Sequence, residues 1–264
     1  MIVFLIPVRH ENSVNDYAKT WRLLNYTLTS IANQDSPDWH AVVCANKVLP
    51  IFPSLPSRKI TFLEYKSDFI GRTMHNWNFH EFRQHLQDKA YRRRCCLLYA
   101  QQYLEASWYF MADADDYLSS DLVSTIQSTT EPQHLITTIE CGLIVSVAKN
   151  KYVVTDDFNE VCGTSLAIFS EMLHQNIDDP HILGTCLSQH KYSKYFTELF
   201  GRRHWHRLAG RPYAAYLQHE ENHGRKLWDY GAKMADAQPI TQEIRAQFSI
   251  PETLGLTTGE NVLE

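Results

Sequence analysis

Nothing in this 264-residue sequence approaches the roughly 18 consecutive apolar residues of a membrane-spanning helix, so no span is expected. The opening MIVFLIPVRHE has only a short apolar run before Pro7. It lacks a basic stretch and a small-residue cleavage site, and is not expected to be a secretory signal. The cysteines (Cys44, Cys95, Cys96, Cys141, Cys162 and Cys186) include no CxxC pair. Reduced thiols in a cytoplasmic protein are the simplest reading. Positive charge is in deficit: 25 Lys and Arg against 30 Asp and Glu give a net charge of −5. Nucleic acid is therefore not an expected partner, because no global positive field is there to release phosphate counterions. Glycine and proline number ten each, which excludes collagen-like and low-complexity classes. No internal repeat or linker composition interrupts the chain, so a single domain over 1–264 is expected.

What is present is an ordinary globular composition. The hydrophobic fraction of 44% against 21% charged residues provides enough apolar surface to offset ordering entropy. Fourteen Tyr, 12 Phe and 6 Trp serve core packing or sugar-binding faces equally well.

Ile2–Val8 reads as a buried parallel strand and Asp16–Asn33 as a helix, with Trp21, Leu24, Leu28 and Ile31 spaced by three and four. His40–Ala45 and Lys59–Tyr65 read as strands on either side of the Pro-rich connector LPIFPSLPS. A long helix is expected from about Phe79 to Glu105, then a strand over Ala106–Ala112. A short helix over Ser119–Gln127 follows. Strands are expected over Leu135–Val147, Lys151–Thr155 and Thr164–Phe169, then a helix around Ser188–Phe200 and a polar tail. The order strand–helix–strand–loop–strand points to a Rossmann-like α/β half.

Asp113, Asp115 and Asp116 follow the Ala106–Ala112 strand directly. Ligands of α/β sheets bind at the carboxyl ends of strands. Carboxylates packed so closely repel one another unless a cation sits among them. In an extended stretch Asp113 and Asp115 project to the same side and can converge on one ligand. Mg2+ or Mn2+ suits such oxygens and commonly bridges them to phosphate. A solvated acidic turn capping the next helix is the alternative.

Two stretches, Ile6-Pro7-Val8-Arg9-His10-Glu11 and Phe110-Met111-Ala112-Asp113-Ala114-Asp115-Asp116, lie in order and about a hundred residues apart. Over roughly residues 1–170 the chain resembles the GT-A glycosyltransferases, most closely the bacterial family 2-like ones. The resemblance implies an α/β fold of the GT-A (Rossmann-like) type. Its mostly parallel sheet would be flanked by helices, with a smaller mixed sheet on the acceptor side. A nucleotide-sugar-binding half over 1–117 and an acceptor-side half with a C-terminal tail over 118–264 follow. The implied function is metal-dependent transfer of a sugar from a nucleotide-diphospho-sugar to a hydroxyl of a glycan or lipid-linked acceptor, in surface-glycan synthesis. In the family the first-strand loop lines the nucleoside pocket, which carries over to Pro7, Arg9 and Glu11. The acidic motif carries over as a Mn2+ or Mg2+ site on Asp113, Asp115 and Asp116, with Asp113 also touching the donor. Some relatives add a C-terminal His to the metal, for which His219 and His223 are candidates, His223 preferred.

Lys89 and Arg93 stand at i and i+4 on the long helix and share a face, with Arg92 beside them; such a face can hold a diphosphate. The resemblance places the same helix beside the donor phosphates. A solvated basic face is the alternative. Cys162-Gly163-Thr164-Ser165 is either a turn or an approach to a ligand. An inverting transferase needs a base for the attacking hydroxyl. Asp156, Asp157, Glu160, Asp178 and Asp179 are candidates, and Asp178 and Asp179 are put first as the catalytic pair. The cationic run Arg202–Arg207 could contact donor phosphates, an anionic acceptor or a membrane, so peripheral contact at the inner membrane face stays open.

Competing readings are a sugar nucleotidyltransferase, which the absence of glycine from Pro7–Asp16 opposes, and a non-catalytic nucleotide- or sugar-binding relative. His219-Glu220-Glu221-Asn222-His223 also fits the HExxH of zinc proteases, in an α/β context that does not suit one.

Overall fold

The computed structural model describes residues 1–66, 79–175, 201–219 and 236–254, with side chains of the second stretch from residue 84 to 174. The first strand, β1 (Ile2–Pro7), is completely buried. Helix α1 (Tyr17–Ala32) follows, with Asp16 as its N-cap accepting from the Lys19 N–H at 2.9 Å and Asn33 as its C-cap. The expected bounds at Asp16 and Asn33 are thus the two caps, which supply partners for backbone groups the helix leaves open. Strands β2 (Trp39–Ala45) and β3 (Ile60–Glu64) come next, then helix α2 (Phe79–Tyr103) and strand β4 (Trp108–Met111).

The chain continues through β5 (Tyr117–Leu118), helix α3 (Leu122–Thr129), β6 (Ile136–Ile139), β7 (Gly142–Ser146) and β8 (Lys151–Thr155). Helix α4 (Phe158–Val161), β9 (Leu166–Phe169) and α5 (Ser170–Gln175) complete that stretch. Strands β10 (Trp205–Leu208), β11 (Ala214–Leu217) and β12 (Gln238–Pro239) precede helix α6 (Gln242–Phe248).

Among the described residues, seven strands form a large sheet in the order β10-β6-β9-β4-β1-β2-β3. All neighbours are parallel except β9, which runs antiparallel to both β4 and β6. Alternation along β1 divides its side chains between the two faces. Phe4 and Ile6 meet Trp21, Leu24, Leu28 and Ile31 of α1 and the apolar side of α3, while Val3 and Leu5 meet Ala90, Leu97 and Ala100 of α2. Helices therefore cover both faces, and each large side chain fully buried there stabilises the fold by about 1.5–3 kcal/mol.

A second, smaller mixed sheet has the order β12-β8-β7-β11-β5. It packs on Leu23 of α1 and on Phe248 and Ile250 at the end of the chain. This is the α/β arrangement the sequence leads one to expect, a mostly parallel sheet between helices with a smaller mixed sheet beside it. The two halves interleave: β6, β9 and β10 belong to the large sheet, and β5 opens the small one.

Three expectations need correction. Leu135–Val147 is two strands in different sheets, β6 and β7. The chain crosses between them at Gly142, where a Cβ would lie 2.1 Å from the Phe158 ring. Both strands are buried, and only Glu140 and Gly142 mark the switch between them in the sequence. The helix expected at Ser119 starts at Leu122, because Ser119 ties its N–H to Tyr213 and its hydroxyl to Asp121. The tail expected to be polar buries Phe248, Ile250 and Leu254. The helix expected around Ser188–Phe200 lies outside the described residues. Among the described residues no helix is long and apolar enough to cross a membrane.

Candidate active site

Parallel pairing of β1 with β2 and β4, and of β2 with β3, brings four carboxyl ends to one edge of the large sheet. The loops leaving that edge carry Arg9 to Glu11 after β1, Asn46 after β2 and the three aspartates after β4. Pro7 is the last residue of β1, buried and in register with Cys44, and contributes shape rather than a polar group. Glu11 opens a short 3-10 turn, Glu11–Ser13, and its N–H is bound by Asn46 Oδ1 at 3.3 Å. His10 caps that turn: its Nδ1 accepts from the Asn12 N–H at 3.1 Å. Burial, then the charge of Arg92, holds the His10 imidazole below its ordinary value. Arg9 is near enough to help keep Asp115 ionised.

The three aspartates have separate surroundings. Asp113 faces α2. Lys89 Nζ lies 2.8 Å from its carboxylate and Arg93 Nη2 lies 2.6 Å from Oδ1. Arg93 has no exposed side-chain surface, whereas Lys89 and Asp113 keep 19% and 22%, enough to meet a ligand. Burial pushes both cations below their ordinary values, and Asp113 acts against that shift. The face expected to hold a diphosphate meets, in this structure, a carboxylate of the chain itself. Arg92 leaves this pair: its Nε binds Asp88 at 2.8 Å and its guanidinium lies over the Tyr65 ring.

Asp115 faces the small sheet, where His219, just past β11, places Nε2 2.9 Å from Oδ2. Burial works to raise the Asp115 carboxyl, but the His219 hydrogen bond and charge, with Arg9 and Lys89, bring it down to about 2. Asp116 points into the interior. Its Oδ2 accepts from the Thr164 hydroxyl at 2.5 Å and from Cys162 Sγ at 3.2 Å, and Oδ1 accepts from the Leu217 N–H at 3.4 Å. Burial, followed by the charges of Asp115 and Asp113, pushes its carboxyl well above the usual range. The same Thr164 hydroxyl accepts from the Asp113 N–H at 2.9 Å, so Thr164 ties the β4 turn to the start of β9.

A metal fits part of this set. Among the described residues no three His, Cys, Asp or Glu side chains are arranged to hold an ion. Asp115 and His219 do converge, and a hard divalent cation needs few protein ligands when substrate phosphate and water supply the rest. The oxygens of Asp113 and Asp116 are taken up by Lys89, Arg93, Thr164 and Cys162. Asp178, Asp179 and His223 lie outside the described residues. Asp156, Asp157 and Glu160 are exposed around the start of α4. Sequence reasoning named the Cys162–Ser165 segment but not the Thr164 hydroxyl, and it missed Asn46; no spacing signal marks either one.

No protein-family model matches the sequence. No curated protein matches it either. Among solved structures, S. aureus TarS 1-349 in complex with UDP is similar at 12% identity and a TM-score of 0.48, over 82% of this chain and 60% of that one. A second structure of S. aureus TarS 1-349 gives 12% identity and a TM-score of 0.46 over the same shares. A longer S. aureus TarS structure gives 15% identity and a TM-score of 0.45, over 82% of this chain and 36% of that one. The chain thus matches less than two thirds of the length of these structures.

Proposed function

We propose that the protein is a metal-dependent glycosyltransferase that moves a sugar from a nucleotide-diphospho-sugar to an acceptor hydroxyl. The observation that carries this reading is the charge arrangement at the end of β4. Two cations on α2 meet one carboxylate, Asp113, and leave a surplus of one positive charge. Beside them Asp115, held ionised, and His219 offer an oxygen and a nitrogen to a divalent cation. A diphosphate bridging the two positions satisfies both. Mn2+ or Mg2+ bound there would act as a Lewis acid on the leaving diphosphate. Lys89, partly exposed, approaches the phosphates, and buried Arg93 fixes the Asp113 carboxylate that orients Lys89. Arg9 and Glu11, with Pro7 shaping the loop, border the nucleoside. Asp178 or Asp179 takes the proton from the acceptor hydroxyl, and His223 stands as an additional ligand. The acceptor is a glycan or lipid-linked sugar of a surface polysaccharide, and the enzyme works in the cytoplasm, with peripheral contact at the membrane.

The test is calorimetric titration with UDP, GDP and CDP, each with and without Mn2+. One diphosphate should bind only with the metal, and Asp115→Ala should abolish that binding. The matching nucleotide-sugar should then be cleaved to the diphosphate, slowly with water and faster with acceptor. Absence of binding by every nucleotide overturns the reading; binding without turnover leaves a nucleotide-binding relative.

A further inference from the structure

Helix α2 gives one side to the core, through Ala90, Leu97 and Ala100. Its outer side carries no exposed charge. Of the side chains described from residue 84 to 103, the exposed ones are Gln84, Gln87, Tyr91, Leu98, Gln102 and Tyr103, in a chain of which 21% is charged. The water-facing side of a helix ordinarily carries charge. Tyr91, Leu98 and Tyr103 are also three of the five large hydrophobic side chains exposed among the described residues, Tyr91 at 56% and Leu98 at 41%. Gln84, Gln87, Tyr91, Leu98 and Gln102 recur at helical spacing, with half-buried Cys95 between Tyr91 and Leu98. They make one stripe on the helix, about 27 Å long.

We propose that this stripe is where two copies of the chain associate, α2 packing antiparallel on α2 about a two-fold axis. The stripe is its own complement. About a point between Arg94 and Cys95, Gln87 and Gln102 stand equally far on either side, and so do Tyr91 and Leu98. A two-fold axis through that point sets Tyr91 against Leu98 of the second copy, twice, and Gln87 against Gln102 of the second copy, twice. A glutamine amide both donates and accepts, so Gln meets Gln without an unmatched group. Tyrosine against leucine supplies apolar contact, and tyrosine is enriched at protein interfaces whereas exposed Lys and Glu are depleted there. A partner chosen by charge finds nothing here to read. Arg94 falls on the flank of the stripe, where solvent and salt screen it from its own copy.

This pairing leaves the candidate site free. Lys89 and Arg93 turn from the stripe to Asp113. The start of α2 lies at the carboxyl edge of the sheet and its end near the opposite edge, so antiparallel pairing points the two candidate sites in opposite directions. One helix against one helix is small beside the ~800 Å² that each partner gives a standard interface, so the association is expected at micromolar concentrations.

The experiment is sedimentation equilibrium of the full chain from about 1 μM to about 500 μM. The parent should move from 30.7 kDa toward twice that mass as concentration rises. Tyr91→Lys and Leu98→Glu should each weaken association about tenfold or more. The double variant should recover it, because the new cation then faces the new carboxylate of the second copy. Val154→Lys, at a comparably exposed apolar position on the smaller sheet, should change nothing. Far-ultraviolet circular dichroism confirms that each chain is folded, which substitution at exposed positions should permit. The proposal is overturned if the parent stays monomeric throughout, which would leave this face to another protein or another segment of the chain. It is overturned equally if both single variants associate as the parent does, if Val154→Lys weakens association as much as they do, or if the double variant stays monomeric, as parallel pairing of Tyr91 with Tyr91 would make it. None of these readouts depends on the proposed transferase activity.

Discussion

Arg93, without exposed surface, holds Asp113 Oδ1 at 2.6 Å and so fastens helix α2 to the turn after β4. Removing one member leaves the other's charge buried with its principal partner gone. Arg93→Met and Asp113→Asn are each expected to destabilise the chain, by about 3–5 kcal/mol for a buried pair broken on one side. Lys89 still reaches Asp113 in the first variant, which puts Arg93→Met at the lower end. The double variant should cost less than the sum of the two. Urea denaturation of the four chains checks this; strict additivity would mean the pair is not energetically coupled.

Thr164 spans Asp113 and Asp116 with one hydroxyl, accepting from a backbone N–H and donating to a carboxylate. Thr164→Val keeps the shape and removes both bonds. It is expected to cost about 1–3 kcal/mol, the range for buried groups left without a partner. Thr164→Ser should restore most of that. Nucleotide titration in the presence of Mn2+ provides a second readout: Val should weaken binding by displacing the turn, and Ser should not.

The residues that define this edge differ in how legible they are from sequence. The apolar run before Pro7 and the three-and-four spacing of Trp21, Leu24, Leu28 and Ile31 report burial directly, because strand and helix periods are local properties. Asp113 and Asp115 could be placed at a strand end for the same reason. The direction in which each carboxylate points could not, since it depends on Thr164 and His219, fifty and a hundred residues further on. Helical spacing grouped Arg92 with Lys89 and Arg93, but β3 ends beside it, and the ring of Tyr65 with Asp88 draws it away. The split of Leu135–Val147 showed only in Glu140 and Gly142, which a reading that follows apolar residues alone passes over, because burial in either sheet favours the same residue types.

That split rests on Gly142, whose missing Cβ leaves room for the Phe158 ring. Gly142→Ala should drive the ring or the strand aside and destabilise the chain by about 1–3 kcal/mol, as overpacked cores do. Phe158→Leu, with a smaller side chain, should recover part of the loss in the double variant. Thermal unfolding of the three chains measures it, and an Ala variant as stable as the parent would show that the ring moves freely.

His10 makes the fold sensitive to acid at the candidate site itself. Its Nδ1 must stay unprotonated to accept from the Asn12 N–H, and burial with Arg92 lowers its folded pKa below the ordinary 6.5. At pH values between the two, the unfolded chain binds the proton and the folded chain does not, so stability falls as pH drops below 6.5. His40 and His206 are lowered by burial as well and add to the same slope. Asn caps helical turns with a neutral oxygen, so His10→Asn should keep the Glu11–Ser13 turn and remove only the His10 share of the slope. Urea midpoints for both chains at a series of pH values would therefore lie together near neutral pH and separate toward acid, the parent chain falling further. Parallel curves would place the titrating proton elsewhere.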